Sequence, residues 1–179
     1  MKKKIALLAG GFTGESVVSL KSAAQIEEVL DYSLFEVFKI IISPESWYFQ
    51  SVDGKKIEID KNDFSINLDG EKIKFDAVFI IIHGSPGEDG KLQSYFDLLN
   101  IPYTTCDATT SALTMNKGYT KAVVNGIKGL NIANSIQLFN QDKGNVQEIE
   151  SQLKLPLFIK PNNGGSSIGM SKVNNWSDL

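Results

Sequence analysis

Cysteine and histidine are almost missing from this chain. Its 179 residues hold one of each, Cys106 and His83. A single cysteine excludes a disulfide framework within the chain, and one His with one Cys does not make a His/Cys metal set. Proline is sparse and scattered, five residues in all, and no internal repeat or low-complexity tract appears. Basic residues are not in excess: 18 Lys and Arg stand against 21 Asp and Glu, a net charge of −3. No electrostatic drive toward nucleic acid follows from that balance. No apolar run is long enough to span a bilayer. The opening Met1-Lys2-Lys3-Lys4-Ile5-Ala6-Leu7-Leu8-Ala9 is charged and then apolar. Its apolar part is too short for a signal-peptide core and breaks at Gly10-Gly11. A buried first strand is expected there, in a cytoplasmic protein.

What is present is ordinary for a globular protein: 42% hydrophobic and 22% charged residues. The length suits one domain or two small ones. Ile5–Ala9 reads as a strand, Gly10–Gly14 as a loop and Ser16–Leu30 as a helix. Leu34–Ile42 returns as a strand whose run Ile40-Ile41-Ile42 does not alternate, which suits burial on both faces. Trp47–Phe49 reads as a short strand. Residues 51–75 are more polar and carry Asp53-Gly54 and Asp69-Gly70, both hairpin signals. They read as a surface insertion. Ala77–Ile82 is a second non-alternating strand. Leu92, Tyr95, Phe96 and Leu99 fall at helical spacing, and Ile101–Thr104 follows as a last strand. This order predicts an α/β fold with a doubly wound, mostly parallel sheet and right-handed crossovers.

The character changes between about residues 105 and 112. A helical stretch from Thr110 to about Ile127 is interrupted near Asn116. A strand at Ser135–Phe139, a helix at Asn145–Leu153, a strand at Leu157–Lys160 and another at Ile168–Val173 are expected after it. The division is therefore a first domain over 1–108 and a smaller α+β unit over 109–179. Asn175 or Ser177 looks like the cap of a helix about to begin. On that ground the chain reads as the front part of a longer protein.

Four segments carry the chemistry. Ile159-Lys160-Pro161-Asn162-Asn163-Gly164-Gly165-Ser166-Ser167-Ile168-Gly169 sets a lysine before a loop of small residues. Such a loop can turn its N–H groups toward phosphate oxygens; an ordinary Gly-rich turn is the bland alternative. Gly10-Gly11-Phe12-Thr13-Gly14-Glu15 joins the first strand to the first helix, where doubly wound folds bind ligands. Its spacing is not the dinucleotide fingerprint. Glu15 is either a carboxylate aimed at a substrate ammonium or a simple complement to the helix dipole, worth roughly 0.3–1 kcal/mol. His83-Gly84-Ser85-Pro86-Gly87-Glu88-Asp89-Gly90 leaves another central strand. His83 is either a site residue or structural, and Glu88 and Asp89 either serve the site or start the next helix. In Met115-Asn116-Lys117, a lysine at a helix start hints at an anion nearby, against the alternative of a solvated surface lysine.

Together the segments form a pattern: Gly-Gly-x-x-x-Glu-x-x-x-Ser, His-Gly-x-x-Gly-Glu-Asp-Gly-x-x-Gln, Met-Asn-Lys, and Lys-Pro-x-x-x-Gly-Ser-Ser-x-Gly-Met. In that order and spacing, from Ile5 to Val173, the chain resembles the D-alanine–D-alanine ligases of the ATP-grasp superfamily. The resemblance implies a Rossmann-like pre-ATP-grasp domain followed by an incomplete ATP-grasp central domain. It implies transfer of the γ-phosphate of ATP to the carboxylate of one D-alanine. The amine of a second D-alanine then attacks the acyl phosphate, giving a dipeptide for peptidoglycan synthesis. By position, Glu15 would hold the first ammonium, with His83 lining the same subsite. Ser166 would bond to Glu15, making Glu15 and Ser166 the catalytic pair. Lys117, Lys160 and the Gly165-Ser166-Ser167 loop would take the ATP phosphates. Mg²⁺ would accompany ATP, its ligands expected in a further domain and none in this chain. The resemblance further implies a homodimer through the first domain and no activity for these residues alone. Asn116, Ser94 and Thr105 depart from the commonest family residues. A D-alanyl-D-lactate or D-alanyl-D-serine ligase, another carboxylate–amine ligase, and a non-enzymatic binding module remain as alternatives.

Overall fold

The computed structural model describes residues 1–51, 53–139 and 146–179. They form two compact units, Met1–Ala112 and Leu113–Leu179.

The first unit is built on a five-stranded sheet. Its strands are β1 (Lys3–Gly10), β2 (Phe35–Ile42), β3 (Trp47–Gln50), β4 (Lys56–Glu58) and, after a hairpin of β5 (Ser65–Leu68) and β6 (Glu71–Lys74), β7 (Ala77–Ile80). The order is β4-β3-β2-β1-β7. β1 lies parallel to both β2 and β7, while β2–β3 and β3–β4 are antiparallel. The parallel centre is where both faces are covered, and the sequence shows it: β1 sends Ala6 and Leu8 to one face and Leu7 and Ala9 to the other, all buried. Helix α1 (Ser16–Val29) covers the second face with Ala23 and Ile26. Helix α2 (Lys91–Leu99) covers the first with Leu92 and Phe96. It stops at Asn100, whose left-handed φ of 55° closes the last turn.

Residues 51–75 are not a surface insertion. β4 extends the main sheet, and Ile59, Phe64, Ile66, Ile73 and Phe75 are buried in one core with Ala6, Ile40 and Val78. A hairpin that covers a sheet face alternates just as a solvated hairpin does, so the pattern alone could not separate them. Asp69 and Gly70 both take positive φ, 52° and 87°, the two-residue turn that the Asp-Gly signal predicts. The strand expected over Ile101–Thr104 reduces to one bridge between Tyr103 and Val78.

The second unit is smaller. Helix α3 (Ala108–Met115) leads into it and α4 (Lys117–Val124) follows; α5 (Val146–Gln152) and the antiparallel pair β8 (Leu157–Ile159) and β9 (Ser171–Val173) complete it. The predicted helical interruption is Asn116, which leaves the helix at φ −92° and ψ 107° and accepts the Tyr119 N–H on its side chain. The expected strand at Ser135–Phe139 does not form; residues 131–139 are irregular, because no ladder forms there among the described residues to pair its backbone groups. Asn145, the expected start of α5, lies outside the described residues. A short 3₁₀ turn at Trp176–Asp178 stands where a helix start was expected. Among the described residues this unit buries the apolar side chains of Ile149 and Val173, whereas Val123, Ile127, Phe158, Ile159 and Ile168 stay exposed.

Candidate functional site

The ends of β1 and β7 bring two of the expected residues together. Gly10 has φ +99°, and a Cβ there would stand 2.4 Å from the Ile42 carbonyl, so only glycine fits where β1 leaves the sheet. The Gly11 N–H donates to that carbonyl at 2.8 Å. The Phe12 N–H donates to Ser85 O at 2.8 Å, which fastens the first loop to the loop after β7. Thr13 Oγ1 accepts the Glu15 N–H at 3.3 Å and lies 3.5 Å from the His83 carbonyl.

Glu15 takes the N-cap place of α1, yet its side chain does not cap the helix. It is 8% exposed, and its Oε2 lies 3.0 Å from where a Gly84 Cβ would be. A carboxylate held in this low-dielectric place, at the positive end of a helix, attracts a cation more strongly than a surface acid does. His83 is half-buried, its Nε2 3.4 Å from Ser22 Oγ, with the donor set by the tautomer. Glu88 and Asp89, left open above, serve the loop itself. Glu88 Oε2 accepts the Gly84 N–H at 2.7 Å, and Asp89 pairs with Lys91 at 2.6 Å. Burial raises the Asp89 pKa, but the bonds from Lys91 and Ser85 outweigh it and leave the carboxyl below its usual range. Gln93 is fully buried and donates to Gly87 O at 2.6 Å and Thr105 Oγ1 at 2.9 Å, anchoring the far end of the loop. A shallow groove of about 350 Å³ lies beside Asp89, Gly90, Ser94 and Ala112, and neither Glu15 nor His83 lines it.

The other expected residues belong to the second unit. Lys117 opens α4, and its N–H donates to Asn162 O at 3.1 Å. Its Nζ donates to Gly164 O at 2.7 Å and lies 3.4 Å from Asn162 O. The Gly118 N–H donates to Asn162 Oδ1 at 2.8 Å. Lys160 follows β8 directly and is exposed. In the loop beyond it, Ser166 and Ser167 take positive φ of 50° and 58°, between Gly164 and Gly169 at 139° and 70°. Two adjacent non-glycine residues in the left-handed region store strain, which collects at ligand clamps and switch segments. Lys117, Gly164, Ser166 and Ser167 thus form a lysine-held loop of small residues, with Lys160 at its root. Its open backbone suits phosphate oxygens.

Comparison with known proteins decides the family. Residues 4–106 match the family described as D-ala D-ala ligase N-terminus, and residues 127–179 match D-ala D-ala ligase C-terminus. The chain belongs to the D-alanine–D-alanine ligase family. It is 45% identical over 175 residues to the D-alanine–D-alanine ligase of Porphyromonas gingivalis strain W83, covering 97% of this chain and 53% of that protein. The D-alanine–D-alanine ligase of Coxiella burnetii superposes with a TM-score of 0.85 at 28% identity, over 99% of this chain and 58% of that one. The VanG D-Ala:D-Ser ligase of Enterococcus faecalis superposes with a TM-score of 0.79 at 32% identity, over 96% of this chain and 55% of that one. The chain spans about half the length of the relatives it matches, and its α/β sheet is that of the amino-terminal part of the ligase fold.

Of the ligase positions named from sequence, Glu15 and His83 share the first unit, and Lys117, Lys160, Gly165, Ser166 and Ser167 the second. Residues that sequence reasoning passed over include Thr13, Ser22 and Asn162, which hold Glu15, His83 and Lys117. Small polar residues spaced around a site were the available signal, but the same types serve every surface turn. Among the described residues, no three His, Cys, Asp or Glu gather to hold a metal ion. Among them, too, no helix is long and apolar enough to cross a membrane.

Proposed function

We propose that this chain supplies the first substrate subsite and part of the ATP site of a ligase that joins two D-alanines. The observation that carries the reading is the buried Glu15 carboxylate packed against Gly84, beside the loop that holds the single histidine. In this reading Glu15 binds the ammonium of the first D-alanine, and His83 lines the subsite. Lys117 and Lys160 offset charge on the phosphates of ATP, and the backbone of Gly165, Ser166 and Ser167 closes over them. The γ-phosphoryl group passes to the carboxylate oxygen of the first D-alanine, leaving ADP. The amine of the second D-alanine attacks the acyl carbon, the C–O bond breaks, phosphate leaves, and the amine loses a proton. An acyl phosphate hydrolyses readily, so a loop that closes over it protects the intermediate. Glu15 and Ser166 are the catalytic residues in this account, and Mg²⁺ accompanies ATP.

The reaction places the protein in the cytoplasm, where ATP is made, and its product in peptidoglycan synthesis. We propose pairing of two chains through the first unit, supported by the apolar side chains that α1 exposes, Val17, Val18, Leu20 and Val29; sedimentation of Val18→Lys tests it. The match to a D-Ala:D-Ser ligase favours a second reading in which the attacking amine is that of D-serine.

The test joins these 179 residues to the remaining part of the Porphyromonas gingivalis relative. Phosphate release that needs both ATP and D-alanine, with the dipeptide seen by mass spectrometry, is the expected result. Preference for D-serine as second substrate supports the second reading. Tight nucleotide binding with no dipeptide supports a binding module and overturns the ligase reading.

A further inference from the structure

Ser19 lies one helical turn beyond Glu15 and is fully buried. Its hydroxyl accepts the Gly10 N–H at 3.0 Å and donates to the Ile81 carbonyl at 2.7 Å. Gly10 is the last residue of β1, and Ile81 follows the last residue of β7. One side chain on α1 therefore ties together the ends of two parallel strands, each of which leads straight into a loop of the site. The first loop runs from Gly10 to Glu15, and the second begins at His83. Packing alone does not ask for serine here. The core on this face is Leu7, Ala9 and Ala23, and alanine at position 19 would fill nearly the same volume. It would also leave the Gly10 N–H and the Ile81 carbonyl without the hydroxyl between them, and buried polar groups are kept paired. The hydroxyl is thus explained by what it joins.

We propose that Ser19 is a positioning residue that holds the Glu15 loop and the His83 loop in register, and so sets the geometry of the ammonium end of the subsite. The proposal rests on the reading of Glu15 and His83 as substrate groups. Ser19 itself does not touch substrate. Its effect passes through Gly10 and Ile81, which are fixed at the roots of the two loops. A displacement of either root moves a carboxylate or an imidazole by a distance that matters for orientation.

The test has two arms. In the 179-residue chain, His83 gives one set of imidazole signals because it is the only histidine. Ser19→Ala is expected to shift those signals and to speed exchange of the Gly10 amide by about tenfold or more. Gln25→Ala, an exposed change on the same helix, is expected to do neither. In the joined enzyme, Ser19→Ala is expected to raise KM for the first D-alanine about tenfold while KM for ATP stays within roughly twofold. Ser19→Cys, which keeps a weak donor and acceptor of similar size, should move every readout in the same direction by less, and it serves if the alanine variant does not fold. Unchanged Gly10 exchange and His83 signals in Ser19→Ala would overturn the proposal, as would equal rises in both KM values. An inactive joined enzyme bearing wild-type Ser19 would count against the ligase reading, and the exchange and imidazole measurements would still decide whether Ser19 holds the two loops.

Discussion

Gly84 and Glu15 share one space: a Cβ on Gly84 would come within 3.0 Å of the Glu15 Oε2 and 2.9 Å of Thr13 Oγ1. The glycine after the single histidine is therefore the place where the second loop yields room to the acid of the first. Its φ of 71° also lies in the region that side chains disfavour.

Gly84→Ala should accordingly destabilise the first unit by more than about 1 kcal/mol, through both strain and crowding. Urea unfolding, with the midpoint compared at constant slope, checks it. In the joined enzyme the same change should weaken use of D-alanine, because the Glu15 carboxylate is the flexible neighbour that must give way.

Acid sensitivity should centre on Asp63. The hydrogen bond from Lys72 at 2.8 Å, then the one from Ser65, lowers its pKa from 3.8 to about 2. A lowered folded-state pKa adds stability above 3.8 that is lost as pH falls toward 2. The pair is partly solvated, which keeps the effect small. Asp63→Asn should lower the unfolding midpoint slightly at neutral pH, and its difference from wild type should shrink as pH falls through that window. A variant with the wild-type acid slope would contradict the assignment.

The two units should differ in hydrogen exchange. β1 lies inside the sheet and β7 pairs with it at the edge, with Leu7, Leu8 and Val78 buried. The second unit buries Ile149 and Val173 and exposes Phe158 and Ile159 on β8. Amides of α4, β8 and β9 should exchange roughly tenfold or more faster than those of β1 and β7, as read by NMR or mass spectrometry.

Much of this was legible in the residues. The runs Ile5–Ala9 and Ile40–Ile42 announced strands buried on both faces, and the spacing of Leu92, Tyr95, Phe96 and Leu99 announced α2. Glu15 and His83 stand out as candidates because loops at the carboxyl ends of parallel strands are where such folds bind ligands. The place of residues 51–75 was not legible, since alternation says that one side of a hairpin is apolar but not what it covers. Phe64 shows the difficulty: it sits in a polar stretch at φ 50°, yet it is fully buried against Phe75 and Phe96. Nor was the strand at Ser135–Phe139 separable from an irregular segment, because pairing depends on a neighbour that local sequence does not name. The roles of Ser19 and Asn162 emerge only from distances, as both residue types are common in any helix or loop.

The most direct test of the account is the separation of substrate roles in the joined enzyme, read by steady-state kinetics with each substrate varied in turn. Glu15→Gln removes the partner of an ammonium, at a loss of roughly 2–4 kcal/mol for a buried charged contact, and Lys160→Ala removes the partner of a phosphate. Glu15→Gln should impair use of D-alanine far more than that of ATP, and Lys160→Ala the reverse. Equal impairment of both substrates by both variants would contradict the assignment of these residues to separate subsites.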